Sequence, residues 1–201
     1  MAKTVLPIAL DLENRACLVV GGGTELEARA QALAELGAIV SVVSTQPSEA
    51  LRALARDRGV KVEARAFEAS DLDGAWLVVI ASDDPAEVEA VSRAAEARRV
   101  HYAAVDRPTR GSFSHMALAR AGSLVVAVST AGAAPALSRR LRQELERLLS
   151  ESKIGGFLDE IAELRQRTPS AQRREVLGRA VDGVRITGQL ELPEPGEPEG
   201  D

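Results

Sequence analysis

Three consecutive glycines follow a short apolar run and precede a stretch whose apolar residues have helical spacing. Such a turn lets the backbone approach a pyrophosphate, and the following helix N-terminus offers N–H groups and the positive end of its dipole. Gly21 and Gly23 fill the first two glycine positions of the dinucleotide fingerprint, whereas Leu26 stands at the third. The turn predicts a dinucleotide site, with a purely structural tight turn as the alternative. The expected cofactor-binding residues here are Gly21, Gly22, Gly23, Thr24 and Glu25.

We expect a bulky side chain at Gly21 or Gly23 to prevent binding without disturbing the fold, because it would hold the pyrophosphate away from the helix.

The residues expected at the ribose are neutral. An acidic residue about 20 positions after the glycine turn usually binds the ribose hydroxyls, but this chain has Ser44, Thr45 and Gln46 there. These side chains can hydrogen-bond a ribose without repelling a 2′-phosphate, so the preference for NAD over NADP should be modest.

Positive charge is concentrated in one segment. Residues 101–150 contain seven arginines against three acidic residues, a net +4 that leaves −9 for the rest of the chain. An acidic protein with one basic segment suggests a small anionic ligand bound locally. For any single arginine the alternative is a solvated helix face.

The composition limits the function classes. Of 201 residues 45 % are hydrophobic but only 2 % aromatic, which predicts an Ala/Val/Leu core suited to an α/β protein. Few aromatics and a net charge of −5 argue against a nucleic-acid partner. The single cysteine, Cys17, excludes a disulfide framework. Without a signal-peptide pattern or an apolar run of the ~20 residues that span a membrane, we expect a cytoplasmic protein with no membrane partner.

Alternating apolar runs and amphipathic stretches predict the elements that position these residues. Residues 82–85, Ser82-Asp83-Asp84-Pro85, resemble a helix cap, and Ser82 is a further expected cofactor contact. The expected strands are Ala16–Val20, Ile39–Val43, Lys61–Arg65, Leu77–Ala81 and Tyr102–Val105, and the helices are Glu25–Leu36, Ser48–Arg58 and one ending near Arg98. This order predicts an α/β fold, a doubly wound parallel-sheet (Rossmann-like) NAD-binding domain over 1–111.

The pattern changes after Asp106. Ser112–Leu118 is ambiguous, Leu124–Ser129 alternates like a strand, and Ala134–Leu149 is expected to be a helix that Gly155-Gly156 terminates. Helical segments follow at Phe157–Arg167 and Ser170–Val181. Since this apolar strand and helix exceed what one five-stranded sheet can cover, we expect 112–150 to be a dimerisation and substrate segment. A helical C-terminal region over 151–192 and a disordered tail over 193–201 complete the expected organisation.

Several segments together resemble the precorrin-2 dehydrogenase and siroheme synthase N-terminal domain family. They are Leu6–Leu12, Cys17–Gly23, Ala81–Pro85, Val105-Asp106 and Val126–Leu137. The Ser-Thr-x-Gly-x-x-Pro-x-Leu run that begins at Ser129, ahead of an arginine-rich helix, is the most specific of these. The resemblance covers about residues 6–150.

The resemblance implies oxidation of precorrin-2 to sirohydrochlorin with NAD⁺, by a homodimer, and in some members Fe²⁺ insertion as well. The family's catalytic aspartate falls on Asp106, where a general base would take a proton. The alternative role for Asp106 is to cap the turn before Pro108. The substrate is an acidic tetrapyrrole, whose carboxylates the arginine-rich segment could bind. The expected substrate residues are Arg107, Arg110, Ser129, Thr130, Arg139 and Arg140, with helix capping as the alternative for Ser129 and Thr130.

The chain departs from the family pattern at Ala103, Met116 and Ala131, where Asn, Pro and Gly are usual. These positions surround the macrocycle site rather than the cofactor site. His101 is expected to be structural, whereas His115 could join Asp106 as a metal ligand during chelation, although two ligands are too few for a tight site. Two other classes remain open, a non-catalytic NAD-sensing module and a tetrapyrrole-binding carrier.

Overall fold

The computed structural model describes residues 5–107, 110–188 and 190–192. The chain divides into two compact units. The first contains the chain up to residue 116 together with 129–135, and the second contains 117–128 and the residues after 135. In the described part of the chain, no helix combines the length and apolar character that a membrane crossing requires.

The first unit is built on a five-stranded parallel sheet of order β3-β2-β1-β4-β5. The strands are β1 (Ala16–Gly21), β2 (Ile39–Val43), β3 (Lys61–Glu63), β4 (Leu77–Ala81) and β5 (His101–Ala104), and the helices are α1 (Gly23–Glu35), α2 (Glu49–Arg58) and α3 (Pro85–Arg98). A single 3₁₀ turn spans Ala69–Leu72. Since β2 and β4 lie on opposite sides of β1, the strand order reverses there, and in doubly wound sheets such a reversal is where a ligand crevice forms beyond the carboxyl ends of the strands, here β1 and β4.

Both faces of this sheet are buried, as the nearly continuous apolar strands predict. Along β1, Cys17 and Val19 point into the cluster formed with α1 and α2. Leu18 and Val20 point to the opposite face, against α3. A parallel sheet with helices on both faces confirms the predicted Rossmann-like class.

Local signals account for the helix ends. The Ser48 hydroxyl accepts a hydrogen bond from the Leu51 N–H at 3.0 Å, and α2 ends at Gly59 in the left-handed conformation. The Asp84 carboxylate accepts from the Ala86 N–H at 2.9 Å, with Pro85 in the first turn of α3. The predicted cap before α3 is therefore confirmed, with Asp84 as the capping residue.

The second unit combines an antiparallel hairpin with three helices. The hairpin strands are β6 (Ala117–Ala121) and β7 (Leu124–Val128), and the helices are α4 (Pro135–Glu151), α5 (Ile154–Arg167) and α6 (Arg173–Val181), with a 3₁₀ turn at Ser170–Gln172. Thus the ambiguous segment ends in a strand, and the strand expected near Leu124 pairs with it in a separate two-stranded sheet. The helical C-terminal region is also present as predicted.

The expected helix break at Gly155-Gly156 is wrong. Both glycines lie inside α5, and the chain turns at Lys153, which adopts a left-handed φ of 55°. A Cβ placed on Gly155 would lie 3.6 Å from backbone atoms of Ala121 and Gly122. The glycine therefore lies where the helix meets the hairpin turn, and tertiary contact rather than helix termination explains its position.

Candidate cofactor and catalytic site

The glycine turn joins β1 to α1 at the crevice. Gly21 has a φ of 128°, and a Cβ on it would collide with the Ala81 carbonyl oxygen at the end of β4. The next residue, Gly22, donates its N–H to that same oxygen at 2.9 Å. Gly21 is therefore needed for β1 and β4 to meet, so the expectation that a bulky residue at Gly21 would spare the fold is wrong.

Gly22 and Gly23 leave open space in front of α1. Gly23 has a φ of 75°, and no atom lies within 4 Å of the position of a Cβ on either residue. The Gly22 cap provides no side-chain hydrogen bond to the first turn of α1. An open cradle faced by helix N–H groups suits a pyrophosphate, so these residues fit a dinucleotide.

The residues that follow Gly23 are exposed until Leu26. Thr24 and Glu25 are exposed, whereas Leu26 is 1 % exposed and packs in the core below α1. The Glu25 carboxylate forms an ion pair with Arg29 at 3.0 Å, which offsets a negative charge beside the phosphate cradle. Leu26 thus replaces the third fingerprint glycine with a core side chain.

The loop after β4 forms the other wall of the crevice. Gly21 is paired in register with Ala81, so Ser82 follows directly beside the glycine turn. The Ser82 hydroxyl accepts a hydrogen bond from the Asp84 N–H at 3.2 Å. The structure therefore brings Ser82 and the glycine turn together, as expected for a shared cofactor site.

The predicted ribose residues differ in accessibility. Ser44 is buried, and its N–H donates to the Glu63 carbonyl at 3.1 Å, which extends the pairing of β2 with β3. Thr45 and Gln46 are exposed at the carboxyl edge of the sheet. Thr45 and Gln46 can meet a ribose directly, while Ser44 anchors the strand end.

Asp106 lies just beyond β5 at the same edge of the sheet. It is exposed and adopts a left-handed φ of 57°, a conformation that aspartate tolerates better than most residues. The preceding Val105 donates its N–H to the Ile80 carbonyl at 2.9 Å, which holds the turn against β4. Within the described residues, no hydrogen bond occupies the Asp106 carboxylate, so its oxygens are available to a ligand.

The two arginines after Asp106 already have partners. The Arg107 guanidinium donates to the Asp83 carbonyl at 3.2 Å. Arg110 forms an ion pair with Glu89 of α3, and its guanidinium holds the pKa of that carboxyl below the usual range. Arg110 is therefore paired with Glu89, whereas Arg107 connects the turn after β5 to the loop after β4.

The hydroxyls of Ser129 and Thr130 accept hydrogen bonds within the turn that precedes α4. The Ser129 hydroxyl accepts from the Ala131 N–H, and the Thr130 hydroxyl accepts from the Ala134 N–H, both at 3.1 Å. Neither of these bonds reaches an N–H of α4, which begins at Pro135, so capping of that helix, the alternative that the sequence left open, is not confirmed for either residue. Their contact with substrate stays a prediction.

The remaining predicted substrate arginines belong to the second unit. Arg139 and Arg140 are exposed on α4. Arg140 forms an i,i+4 ion pair with Glu144 at 2.5 Å. An exposed intrahelical pair of this kind contributes little stability, so a stronger anion could compete for the guanidinium.

His115 lies in a mixed environment. Its ring contacts Phe113 edge to face at 5.3 Å between centroids, and Phe113 packs against the core. Although the residue as a whole is exposed, local desolvation of the ring and then the nearby charge of Arg29 lower the pKa of His115. The lowered pKa favours the uncharged imidazole, the form that can bind a metal.

Among the described residues, no group of three or more His, Cys, Asp or Glu side chains could hold a metal. The Asp106 and His115 pair stays a two-ligand prediction. His101 begins β5 at the opposite edge of the sheet, where its Nδ1 lies 3.5 Å from the Ser112 hydroxyl. This position agrees with the structural role expected for His101.

Sequence reasoning missed two arginines near the crevice. Arg29 pairs with Glu25 on α1, and its Nε is buried without a hydrogen-bond partner in the described structure. Arg65 follows β3 and binds Asp71. The position of Arg65 at the end of a strand could have indicated its place, but its pairing depends on a tertiary contact.

Comparisons with known proteins place these features in a family. A family model described as putative NAD(P)-binding matches residues 8–117, and one described as sirohaem biosynthesis protein central matches 122–148. A siroheme synthase 2 of Cronobacter sakazakii is 39 % identical over 158 residues, 78 % of this chain and 35 % of the relative. A siroheme synthase of Methylobacillus flagellatus is 37 % identical over 174 residues, 85 % of this chain and 37 % of the relative.

This chain therefore spans about a third of the length of these curated relatives. A solved structure of similar size is closely related in fold. The structure titled SirC, precorrin-2 dehydrogenase, matches with a TM-score of 0.74 and 25 % identity, over 89 % of this chain and 90 % of that one. With the glycine cradle and the parallel sheet, these matches show that the chain belongs to the NAD(P)-binding family of siroheme biosynthesis that includes precorrin-2 dehydrogenase and the siroheme synthase N-terminal domain.

Proposed function

We propose that this protein oxidises precorrin-2 to sirohydrochlorin with NAD⁺. The observation that carries the proposal is the match to SirC over nearly the whole of both chains. The crevice supports it, because the glycine turn, Ser82 and Asp106 all follow strand ends at one edge of the sheet. This edge is where doubly wound sheets bind their ligands.

In the proposed mechanism, residues 21–23 and the N-terminus of α1 bind the pyrophosphate, and Thr45 and Gln46 contact the ribose. NAD⁺ bound there would supply the hydride acceptor. Asp106 accepts the proton that the macrocycle loses, because its exposed carboxylate has no hydrogen bond within the described residues. The left-handed backbone at Asp106 directs the turn beyond β5.

Binding of the acidic macrocycle is assigned to arginines. Arg107 already borders the crevice through Asp83, so it is the strongest candidate in the first unit. Arg139 and Arg140 are exposed on α4 and suit carboxylates. Arg110 would have to exchange Glu89 for a substrate carboxylate, which makes its contribution weaker.

We further propose that the working form is a homodimer, with residues 112–150 as the dimerisation and substrate segment and 151–192 as a helical region. One face of the hairpin carries the exposed side chains of Leu118, Val125 and Ala127 around Arg120. Leu137 and Leu148 of α4 are exposed as well. Apolar surface of this kind is typical of subunit interfaces.

A second activity, Fe²⁺ insertion into sirohydrochlorin, is favoured by one observation. The lowered pKa of His115 favours the uncharged imidazole, the form that binds Fe²⁺, and Asp106 could take one of the two pyrrole protons that insertion expels while the other passes to solvent. The names of the curated relatives, siroheme synthases, are consistent with a role of this kind.

Anaerobic incubation with precorrin-2 and NAD⁺ tests both activities. We expect NADH to form in step with the sirohydrochlorin chromophore, and Fe²⁺ or Co²⁺ to convert that chromophore further only if the protein is also a chelatase. NAD binding without turnover would instead indicate an NAD-sensing module. Tetrapyrrole binding without NAD binding would indicate a carrier.

A further inference from the structure

Arg65 lies beside the predicted ribose site. β2 and β3 are parallel, with Val43 in register with Glu63. Thr45 and Arg65 each come two residues after this pair, so they leave the sheet at the same edge from neighbouring strands. The end of β3 therefore brings a guanidinium to the side of the crevice where the ribose is expected.

Asp71 holds this guanidinium in a fixed position. The two terminal nitrogens of Arg65 donate to the two Asp71 oxygens at 2.9 and 2.6 Å, and one of them also donates to the Ala66 carbonyl at 3.0 Å. Only 10 % of the Asp71 side chain is exposed, and it also accepts from the Glu68 N–H at 2.9 Å. A bidentate pair of this geometry is among the strongest that arginine forms.

The surrounding charges do not favour an anion. Glu63 lies 4.0 Å from the Arg65 Nε and 2.9 Å from the Lys61 ammonium. Glu63, Glu68 and Asp71 thus outnumber the two cations of the cluster. The positive charge at the end of β3 is neutralised within the protein.

We propose that the Arg65–Asp71 pair decides between NAD and NADP, a role that rests on the proposed cofactor site. The two cofactors differ by the ribose 2′-phosphate, which needs a cationic partner. While Asp71 occupies both terminal nitrogens of Arg65, that partner is withheld. The preference for NAD over NADP then depends on two residues that follow β3, rather than on a carboxylate at the end of β2.

Titration calorimetry of the full chain with NAD⁺ and NADP⁺ tests this proposal. Asp71→Asn keeps the size of the side chain and an acceptor for the Glu68 N–H, but it releases the charge of Arg65. We expect the Kd for NADP⁺ to fall about tenfold, the equivalent of roughly 1.4 kcal/mol. The Kd for NAD⁺ should stay within about twofold, because it lacks the phosphate that Arg65 would bind.

Two further variants test whether Arg65 causes the change in NADP⁺ affinity. Arg65→Gln in the Asp71→Asn background should abolish the gain, and Arg65→Gln alone should weaken NADP⁺ binding because Asp71 is left uncompensated. Asp73→Asn is the matched control, since it makes the same charge change and releases Arg98, which Asp73 binds at 3.0 Å. Asp73 and Arg98 precede the starts of β4 and β5, at the opposite edge of the sheet.

An unchanged ratio of the two affinities in Asp71→Asn would overturn the proposal. So would a gain that persists without Arg65 or that Asp73→Asn reproduces. If Asp71→Asn fails to fold, an unaltered NADP⁺ affinity in Arg65→Gln alone overturns it. Wild-type protein that binds neither cofactor would contradict the proposed function as well, whereas intact NAD⁺ binding confines the failure to the role of Arg65.

Discussion

The guanidinium of Arg107 donates a hydrogen bond to the Asp83 carbonyl at 3.2 Å. This contact joins the turn that carries Asp106 to the loop after β4, whose first residue, Ser82, lies beside the glycine turn. The Arg107 side chain therefore links the turn that carries the proposed base, Asp106, to the loop that forms one wall of the cofactor crevice. We therefore expect Arg107 to position this turn, in addition to any contact with substrate.

Asp106→Asn should lose most of the dehydrogenase turnover and keep NAD binding. Asn is nearly isosteric with Asp but cannot accept a proton at neutral pH. We expect kcat to fall by roughly 10²–10⁴-fold, the usual contribution of a positioned base, while the Kd for NAD⁺ remains unchanged by calorimetry. Near wild-type dehydrogenation would leave Asp106 as a turn residue only.

In a chelating protein, His115→Ala should impair metal insertion and spare dehydrogenation.

Gly23→Val should abolish cofactor binding while the protein remains folded. The side chain would enter the open space in front of α1, where the pyrophosphate is expected. Gly59→Val is the matched control, because Gly59 has a similar φ of 69° and equally open surroundings at the end of α2. Both variants should lose about 1–2 kcal/mol of stability from the left-handed backbone, but only Gly23→Val should lose NAD⁺ in calorimetry. Retained affinity in that variant would contradict the assigned site.

Ala131→Gly should stabilise the protein. Ala131 has a φ of 50° in the turn before α4, a conformation that disfavours a Cβ. Relief of this strain should raise the free energy of unfolding by about 1 kcal/mol, seen as a higher urea midpoint. Ala133→Gly is the control, since Ala133 has no positive φ and its replacement should lower stability. Equal effects of the two substitutions would show that Ala131 is not strained.

The Arg65–Asp71 pair should make stability depend on acid pH. The hydrogen bonds from Arg65, and then the Glu68 N–H, hold the pKa of Asp71 below its usual range. A depressed folded-state pKa gives a contribution that is full above the unfolded value of about 3.9 and is lost as pH falls through the folded value. Asp71→Asn should therefore cost about 1–3 kcal/mol at pH 7, with a difference from wild type that shrinks at strongly acid pH. A constant difference in urea unfolding at every pH would argue against this contribution.

The wild-type chain should be a homodimer at micromolar concentration by light scattering. Val125→Asp should shift it to monomer, because Val125 lies on the exposed hairpin face with Leu118, where a charge would have to be desolvated in the interface. Leu36→Asp introduces the same charge at an exposed apolar residue after α1 and should leave the dimer intact. A monomeric wild-type protein would overturn the proposed assembly.

The sequence by itself determined the sheet and much of the cofactor crevice, because these depend on local patterns. The limits predicted for β2 and β4 agree with the structure, since buried parallel strands are continuous apolar runs between turns. Asp84 could likewise be identified as part of a cap from the proline that follows it. The glycine turn was recognisable from its place between a strand and a helix.

Only the tertiary structure decided what depends on residues distant in sequence. Gly21 proved necessary for the fold because the end of β4 contacts it, and Gly155 lies in a helix against the hairpin turn. Arg110 is bound to Glu89, and Arg65 is held by Asp71 at the sheet edge. The sequence shows which residues are charged and which lack a side chain. Which residue each of them contacts depends on how the strands and helices pack, and no local pattern in the sequence encodes that packing.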